Sequence, residues 1–414
     1  MFNKNIPAKI FLCVLFVLMC LAFGAFINTR AKRALFPKEF SRIKIDWAKL
    51  YPFQNEKTQQ ENIRQETKLE GIHRYLVFNA KLYTTDKLPG YMKFVEQARR
   101  YENLIGWNMA PIAGYNSVVK LKDGHLTTFI ASFDVTPNIK STVELAKFCA
   151  DKNIKFMYVQ APFKICKYED AEVSGTLDYS NNVADDLLAG LNNADVKNLD
   201  VRKLLHDEGK SHHGSYYRTD HHWKPDTALW TSRHIIKTMR EDFKWPVDEN
   251  ILDDKNFNFK ITPSSLLGSE GKKLTAVRVK LEDAIKITPN FDTLFHVDAP
   301  DALVDDDSNF ENIHSGFLLT RLANLNLTRL TNLKATNNKK ILLIGDSFAG
   351  SFIGVRSYLA LCVNKLDYID PRVFTGSIRA YIEQTKPDAV IVLYYIGSVR
   401  PINYSHHEST FDFR

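Results

Sequence analysis

The feature that most restricts the fold of this chain is a pair of signals that recurs beyond about residue 105. A stretch with helical spacing of apolar residues is followed each time by an aliphatic run too short to be a helix. Ile139 to Lys152 carries the helical pattern and leads into Lys155-Phe-Met-Tyr-Val-Gln160, closed by Ala161-Pro162. Val183 to Leu191 leads into Val196 to Val201 in the same way, and Thr375 to Thr385 precedes Ala389-Val-Ile-Val-Leu-Tyr-Tyr395. Lys340-Ile-Leu-Leu-Ile344 passes through Gly345 into Ser347 and a following helix. Short runs with apolar residues at consecutive positions suit strands buried on both faces, and helices alternating with them connect a parallel sheet. The expected fold class is therefore α/β, a doubly wound, mostly parallel sheet whose ligands sit at the carboxyl ends of the strands.

The rhythm breaks between Trp245 and Asn338, where turn-rich sequence carries alternating stretches such as Leu274-Thr-Ala-Val-Arg-Val-Lys280. This reads as an inserted irregular or β-rich subdomain at about 245–338. At the other end, Ile10 to Ile27 is an unbroken run of apolar and small residues between Lys9 and Asn28, long enough to span a bilayer as a helix. It exceeds the ~7–15-residue apolar core of a cleaved signal peptide, which remains the rival reading beside a buried helix. Lys4 and Lys9 on one side face Arg30, Lys32 and Arg33 on the other, so charge does not set the orientation. The expected organisation is a membrane anchor over 1–28, a charged, partly helical stem over 29–104, and an α/β domain over 105–414.

The net charge of +7 is spread along the chain, and no basic run is longer than the group at Arg30, Lys32 and Arg33. That argues against a nucleic-acid surface, while a mild positive field suits anionic polymers such as wall glycans. Of the five cysteines, Cys13 and Cys20 lie in the apolar run. Cys149, Cys166 and Cys362 form neither a disulfide framework nor a zinc pattern and leave room for one disulfide.

Two constellations carry chemistry. The first is Ile344-Gly345-Asp346-Ser347-Phe348, where a strand turns into a helix. A serine there projects from the carboxyl edge of the sheet, Gly345 permits the tight backbone, and the helix N-terminal amides can face an oxyanion. The rival reading is a helix cap supplied by Asp346 or Ser347. The second is Tyr217-Arg218-Thr219-Asp220-His221-His222-Trp223. In an extended segment residues two apart share a side, so Asp220 and His222 face one site and His221 points away. Asp220 then orients an imidazole that takes a proton from serine, and Trp223 excludes water. A metal site using His212, His213, Asp220, His221 and His222 is one rival, and a structural polar turn is another; no helical H-x-x-x-H or C-x-x-C spacing supports the metal. No cofactor is expected.

Through Thr219-Asp-His-His-Trp223 and Gly345-Asp-Ser-Phe348 the chain resembles the DHHW family of SGNH-hydrolase-like proteins, relatives of the alginate O-acetyltransferase proteins. Gln160-Ala-Pro-Phe-Lys-Ile-Cys-Lys-Tyr168 and Leu267-Gly-Ser-Glu-Gly-Lys-Lys273 are supporting matches. The resemblance implies Ser347 as nucleophile, His222 as general base and Asp220 as its orienting group. It implies O-acyl transfer or ester hydrolysis through an acyl-enzyme. The strand Ala389 to Tyr395 ends in Tyr-Tyr-Ile-Gly and lacks the Gly-x-Asn-Asp segment of ordinary SGNH esterases, so the second oxyanion donor is unassigned. Lys164 and Arg218, near expected strand ends, are candidates for an anionic substrate, against a solvated surface role for each.

The function this implies is an extracytoplasmic O-acyltransferase acting on a cell-envelope or secreted polysaccharide. Family analogy adds a multi-spanning membrane acyltransferase as the acyl source. The alternatives are a carbohydrate esterase with the same triad, or a catalytically idle, membrane-tethered glycan-binding scaffold.

Overall fold

The computed structural model describes residues 109–110, 118–169, 178–274, 279–298, 327–350, 354–400 and 410–414. All of them lie within the compact unit Pro89–Arg414. The expected anchor at Ile10 to Ile27 and the stem to residue 104 fall outside the described residues. Among those described, no helix is long and apolar enough to cross a membrane.

Three short strands, β1 (Met109–Ala110), β2 (Val118–Lys120) and β3 (Leu126–Thr127), form a small antiparallel sheet. Helix α1 (Thr136–Ala150) then feeds β4 (Lys155–Ala161), and α2 (Ser180–Asn193) feeds β5 (Asn198–Asp200). Asp200 ends β5 and at once caps α3 (Val201–Asp207), its carboxylate accepting from the Arg202 amide at 3.0 Å. The site loop follows and runs into α4 (Pro225–Glu241). Next come the hairpin β6 (Phe257–Leu266) and β7 (Glu282–Pro289), with α5 (Ser269–Leu274) in its connection, and then β8 (Phe295–Asp298) and β9 (Leu327–Asn332). The chain closes with β10 (Lys340–Gly345), α6 (Ser347–Gly350), α7 (Arg356–Cys362), β11 (Lys365–Ile369), α8 (Ile378–Thr385) and β12 (Ala389–Tyr395).

Seven strands make the main sheet in the order β5-β4-β12-β10-β11-β9-β8. The first five are parallel, and β9 and β8 add antiparallel at one edge. Consecutive apolar residues of the central strands serve opposite faces. Met157, Val159, Leu343 and Ile391 pack with Ile235 of α4 and Leu359 of α7. Tyr158, Leu342, Val390 and Val392 pack with Leu145 of α1, Leu187 of α2 and Ile382 of α8. Each such buried side chain contributes about 1.5–3 kcal/mol, and the one polar side chain buried within β4, Gln160, is satisfied by the Ala161 and Tyr394 carbonyls.

Two expectations change. The stretch 245–338 is not wholly an insertion: β6 and β7 form a separate hairpin, but β8 and β9 complete the edge of the main sheet. The expected alternation from Leu274 does not open as a strand, because Leu274 ends α5; residues 275–278 lie outside the described ones. The strand β11 is the other addition. Its Asp367 reads as loop in sequence, yet Tyr381 of α8 donates to that carboxylate at 2.8 Å and satisfies it within the fold. Cys149, Cys166 and Cys362 are all buried free thiols.

Candidate active site

The carboxyl ends of β10 and β12 lie side by side and are tied by one buried side chain. Asp346 accepts from the Phe348 amide at 2.8 Å and from the Tyr395 amide at 3.0 Å. Burial pushes its carboxyl up, against hydrogen bonds from Ser398, Tyr395 and Phe348 and the charge of Arg372. Asp346 is therefore the cap of α6, and Ser347 is released from that task. Gly345 lets this junction close: a side chain there would press on the Leu393 carbonyl oxygen at 2.6 Å. The expected set of free amides is smaller than the sequence implied. The α6 segment covers Ser347–Gly350, the Phe348 amide is held by the Asp346 carboxylate, and the Ala349 and Gly350 amides bond to the Asp346 carbonyl at 3.0 Å each.

The loop 218–222 approaches this edge from the other side. His222 Nε2 lies 2.8 Å from Ser347 Oγ. Its Nδ1 lies 2.6 Å from Asp220 Oδ1, which also accepts from the His222 amide at 3.0 Å. An imidazole with Nδ1–H on a carboxylate carries its lone pair on Nε2, the atom facing the serine hydroxyl. Asp220 Oδ2 accepts from the Ser269 amide at 2.7 Å. Burial would raise the Asp220 carboxyl, but the hydrogen bonds from His222 and the nearby charges of His222 and His221 outweigh it and hold it well below the usual carboxylate range.

The loop is bent rather than extended, so period-two logic fails within it. His221 does not point away: its ring centroid is 3.7 Å from that of His222. The bend is fixed by residues that carried no role in the sequence reading. Glu282, on β7, accepts from the Arg218 and Thr219 amides at 2.7 Å each. Thr219 Oγ1 accepts from the Gly268 amide at 2.9 Å, and the Gly271 amide donates to the Thr219 carbonyl at 2.8 Å. Gly268 is in such close contact with Asp220 that any side chain there would overlap its backbone. The Leu267-Gly-Ser-Glu sequence was thus visible as a motif, but its task of holding Asp220 was not.

Phe348 forms an apolar floor. It stacks on Tyr395 with centroids 4.8 Å apart, and lies 5.3 Å from His222 and 5.1 Å from Trp223. The fully buried Trp223 therefore supports His222 through Phe348. Lys164 departs from its expected surface role. It is 1% exposed, and its Nζ donates to the carbonyls of Leu126 at 2.5 Å and Arg218 at 3.3 Å. Burial brings its pKa down to about 8, against the acids Glu270, Asp220, Glu282 and Asp123. An ammonium held this way braces the loop and faces no external anion. Arg218 is exposed and gives the loop its backbone bonds.

The five-residue metal set comes apart. His212 Nε2 donates to the Phe163 carbonyl and His213 Nε2 sits 2.8 Å from the Lys164 carbonyl, away from Ser347. Asp220, His221 and His222 do offer ligand atoms within 4.8 Å of one another. Nδ1 of His222 is already bonded to Asp220, and Nδ1 of His221 to Ser269 Oγ, each at 2.6 Å.

Residues 134–282 match the family described as SGNH hydrolase-like domain, acetyltransferase AlgX. Over these residues the chain is similar to an SGNH-hydrolase-like domain. The match takes in Asp220, His222 and Ser269 and stops short of Ser347. No curated protein matches the sequence. Among solved structures, PatB1 of Bacillus cereus with sulfonyl adduct is similar at 16% identity and a TM-score of 0.56, covering 73% of this chain and 100% of that one. A DHHW family protein from Eubacterium siraeum is similar at 15% identity and a TM-score of 0.54, covering 73% and 96%. At these identities the two structures speak for the fold. In this domain the loop between α3 and α4 brings the histidine, and the end of β10 brings the serine.

Proposed function

We propose that this domain is an extracytoplasmic O-acetyltransferase that acetylates hydroxyls of a cell-envelope or secreted polysaccharide through Ser347. The observation that carries the reading is the continuous line Asp220–His222–Ser347, with 2.6 and 2.8 Å between successive atoms, at the carboxyl edge of the sheet. The match to a domain described by acetyltransferase AlgX supports acetyl as the group transferred. The apolar run Ile10 to Ile27 supports a membrane-tethered placement.

The chemistry follows from the atoms. His222 Nε2 takes the proton of Ser347 as Oγ attacks the carbonyl carbon of an activated acetyl ester, and Asp220 stabilises the imidazolium that forms. The imidazolium returns its proton to the leaving group, and acetyl remains on Oγ. A sugar hydroxyl then gives its proton to His222 and attacks the acetyl carbon. The Ser347 ester bond breaks, and Oγ recovers the proton. Tyr395 and Phe348 close one side of this site against water.

The test uses the purified full-length chain with p-nitrophenyl acetate and oligosaccharide acceptors. Release of p-nitrophenol that Ser347→Ala abolishes, with acetylated oligosaccharide among the products, is the expected result. Free acetate alone would make the domain an esterase. Release no faster than the Ser347→Ala background would leave a glycan-binding scaffold.

A further inference from the structure

The line from Asp220 to Ser347 leaves one adjoining ring without a task. His221 lies against His222, and its Nδ1 is 2.6 Å from Ser269 Oγ, which is itself 3.0 Å from Oε2 of the buried Glu270. A serine hydroxyl has a single proton. Donated to the Glu270 carboxylate, it leaves Oγ to accept from His221 Nδ1–H, and the lone pair of His221 stands on Nε2. With Glu270 protonated the relay reverses and Nε2 carries the proton. A hydroxyl answers either arrangement, because it both donates and accepts.

His221 suits an uncharged hydrogen bond. Burial above all, with the charges of His222, Lys164 and Lys273 and against that of Asp220, brings its pKa down to about 3. Its side chain is 29% exposed, and among the described residues no group bonds to Nε2. The hydroxyl that resolves the acetyl-enzyme must stand within hydrogen-bond reach of His222 Nε2. With the two ring centroids 3.7 Å apart, an oxygen on the carbon next to the reacting one can reach His221 while the reacting hydroxyl stands at His222.

We propose that His221 Nε2 holds the hydroxyl adjacent to the one being acetylated, so that the acceptor site takes a vicinal diol of a sugar in preference to an isolated alcohol. This rests on the acyl-transfer reading. No bond of the reaction changes at His221: the reacting hydroxyl forms the new ester, Ser347 Oγ leaves, and the proton passes through His222. His221 is a specificity-determining residue, and its removal alters the choice between acceptors.

The experiment gives the full-length chain p-nitrophenyl acetate and equal concentrations of trans-1,2-cyclohexanediol and cyclohexanol, and measures both acetate esters. The wild type is expected to make the diol ester about tenfold faster, beyond the factor of about two from having two hydroxyls. His221→Asn keeps a donor toward Ser269 and has nothing at the ε position, so the ratio should fall to about two. His221→Gln returns an amide to that position and should restore part of the preference. A wild-type ratio near two, which needs no variant to fold, overturns the proposal, as does a ratio unchanged in His221→Asn. If Ser347→Ala releases p-nitrophenol as fast as the wild type, the acyl-transfer reading itself falls and this one with it. Ser347-dependent release without diol preference sinks this inference alone.

Discussion

The domain holds two Asp-x-His pairs of nearly the same local geometry. In the first, Asp123 accepts from the His125 amide at 3.0 Å and from His125 Nδ1 at 2.8 Å. In the second, Asp220 accepts from the His222 amide at 3.0 Å and from His222 Nδ1 at 2.6 Å. Both arrangements place the imidazole lone pair on Nε2. His222 Nε2 meets a serine hydroxyl, whereas His125 Nε2 is buried with no hydrogen-bond partner among the described residues. Burial pulls the His125 pKa down, and the Asp123 charge only partly offsets it. The comparison teaches that an oriented imidazole is a local product of the Asp-x-His spacing. What distinguishes the second pair is the edge of another element brought up to Nε2, and on the proposed function that is what makes His222 the base.

The comparison breaks most directly by deleting each imidazole. His222→Ala is expected to lower Ser347-dependent p-nitrophenol release by about three to four orders of magnitude. His125→Ala should leave that rate within about threefold while costing roughly 1–3 kcal/mol of stability in a urea titration, as Asp123 loses one of its two histidine partners. Equal rate losses in the two variants would mean that the geometric difference at Nε2 does not select the catalytic pair.

The second pair was legible in the sequence and the first was not, for a physical reason. Thr219-Asp-His-His-Trp223 is dense in groups that are costly to bury together, and it comes before a clear helix. Lys122-Asp-Gly-His125 reads as an ordinary turn. The strands β4, β10 and β12 were legible because both of their faces are buried, so consecutive positions are mostly apolar. The opposite holds for what braces the site. Glu282 and Ser269 lie tens of residues from Asp220; Glu282 accepts from backbone amides and Ser269 gives its own amide to Asp220, and such bonds have no sequence signature. Lys164 misled for a related reason: a lysine in sequence reads as solvated, and only the fold shows two carbonyls converging on its Nζ.

Lys164 also joins the two pairs. Its Nζ holds the carbonyls of Leu126, next to His125, and of Arg218, two residues before Asp220, and it lies in the field of both Asp123 and Asp220. Lys164→Met removes the donor to both carbonyls, although that of Arg218 keeps the Leu126 amide at 2.8 Å, and should cost roughly 1–3 kcal/mol. The pH dependence sharpens the test. The folded value of about 8 lies below the ordinary 10.5, so between these limits the unfolded chain binds more protons, and stability rises with pH. The wild type should gain about 1–3 kcal/mol relative to Lys164→Met across that window, read as a shift in urea midpoint. Parallel curves for the two proteins would show that the fold leaves Lys164 at its ordinary pKa.

The smallest effect lies on the acid side and separates the rings beside the two pairs. His221 adjoins the second pair, and His212 lies close to His213, which reaches Asp123. Burial is the leading cause that holds both rings neutral in the fold, with pKa values of about 3 and about 4 against an ordinary 6.5. As pH falls from 6.5 the unfolded chain takes up protons that the folded one refuses, so stability declines toward those lower values. Removing either ring removes one proton from that difference. The slope of unfolding free energy against pH between about 6 and 4 should flatten by about 1 kcal/mol per unit in His212→Asn. In the more exposed His221→Asn solvent screening reduces this to roughly half. A slope unchanged in His212→Asn would show that the buried ring protonates in place, and a larger change at His221 than at His212 would mean that the active-site loop, not the interior, opens first in acid.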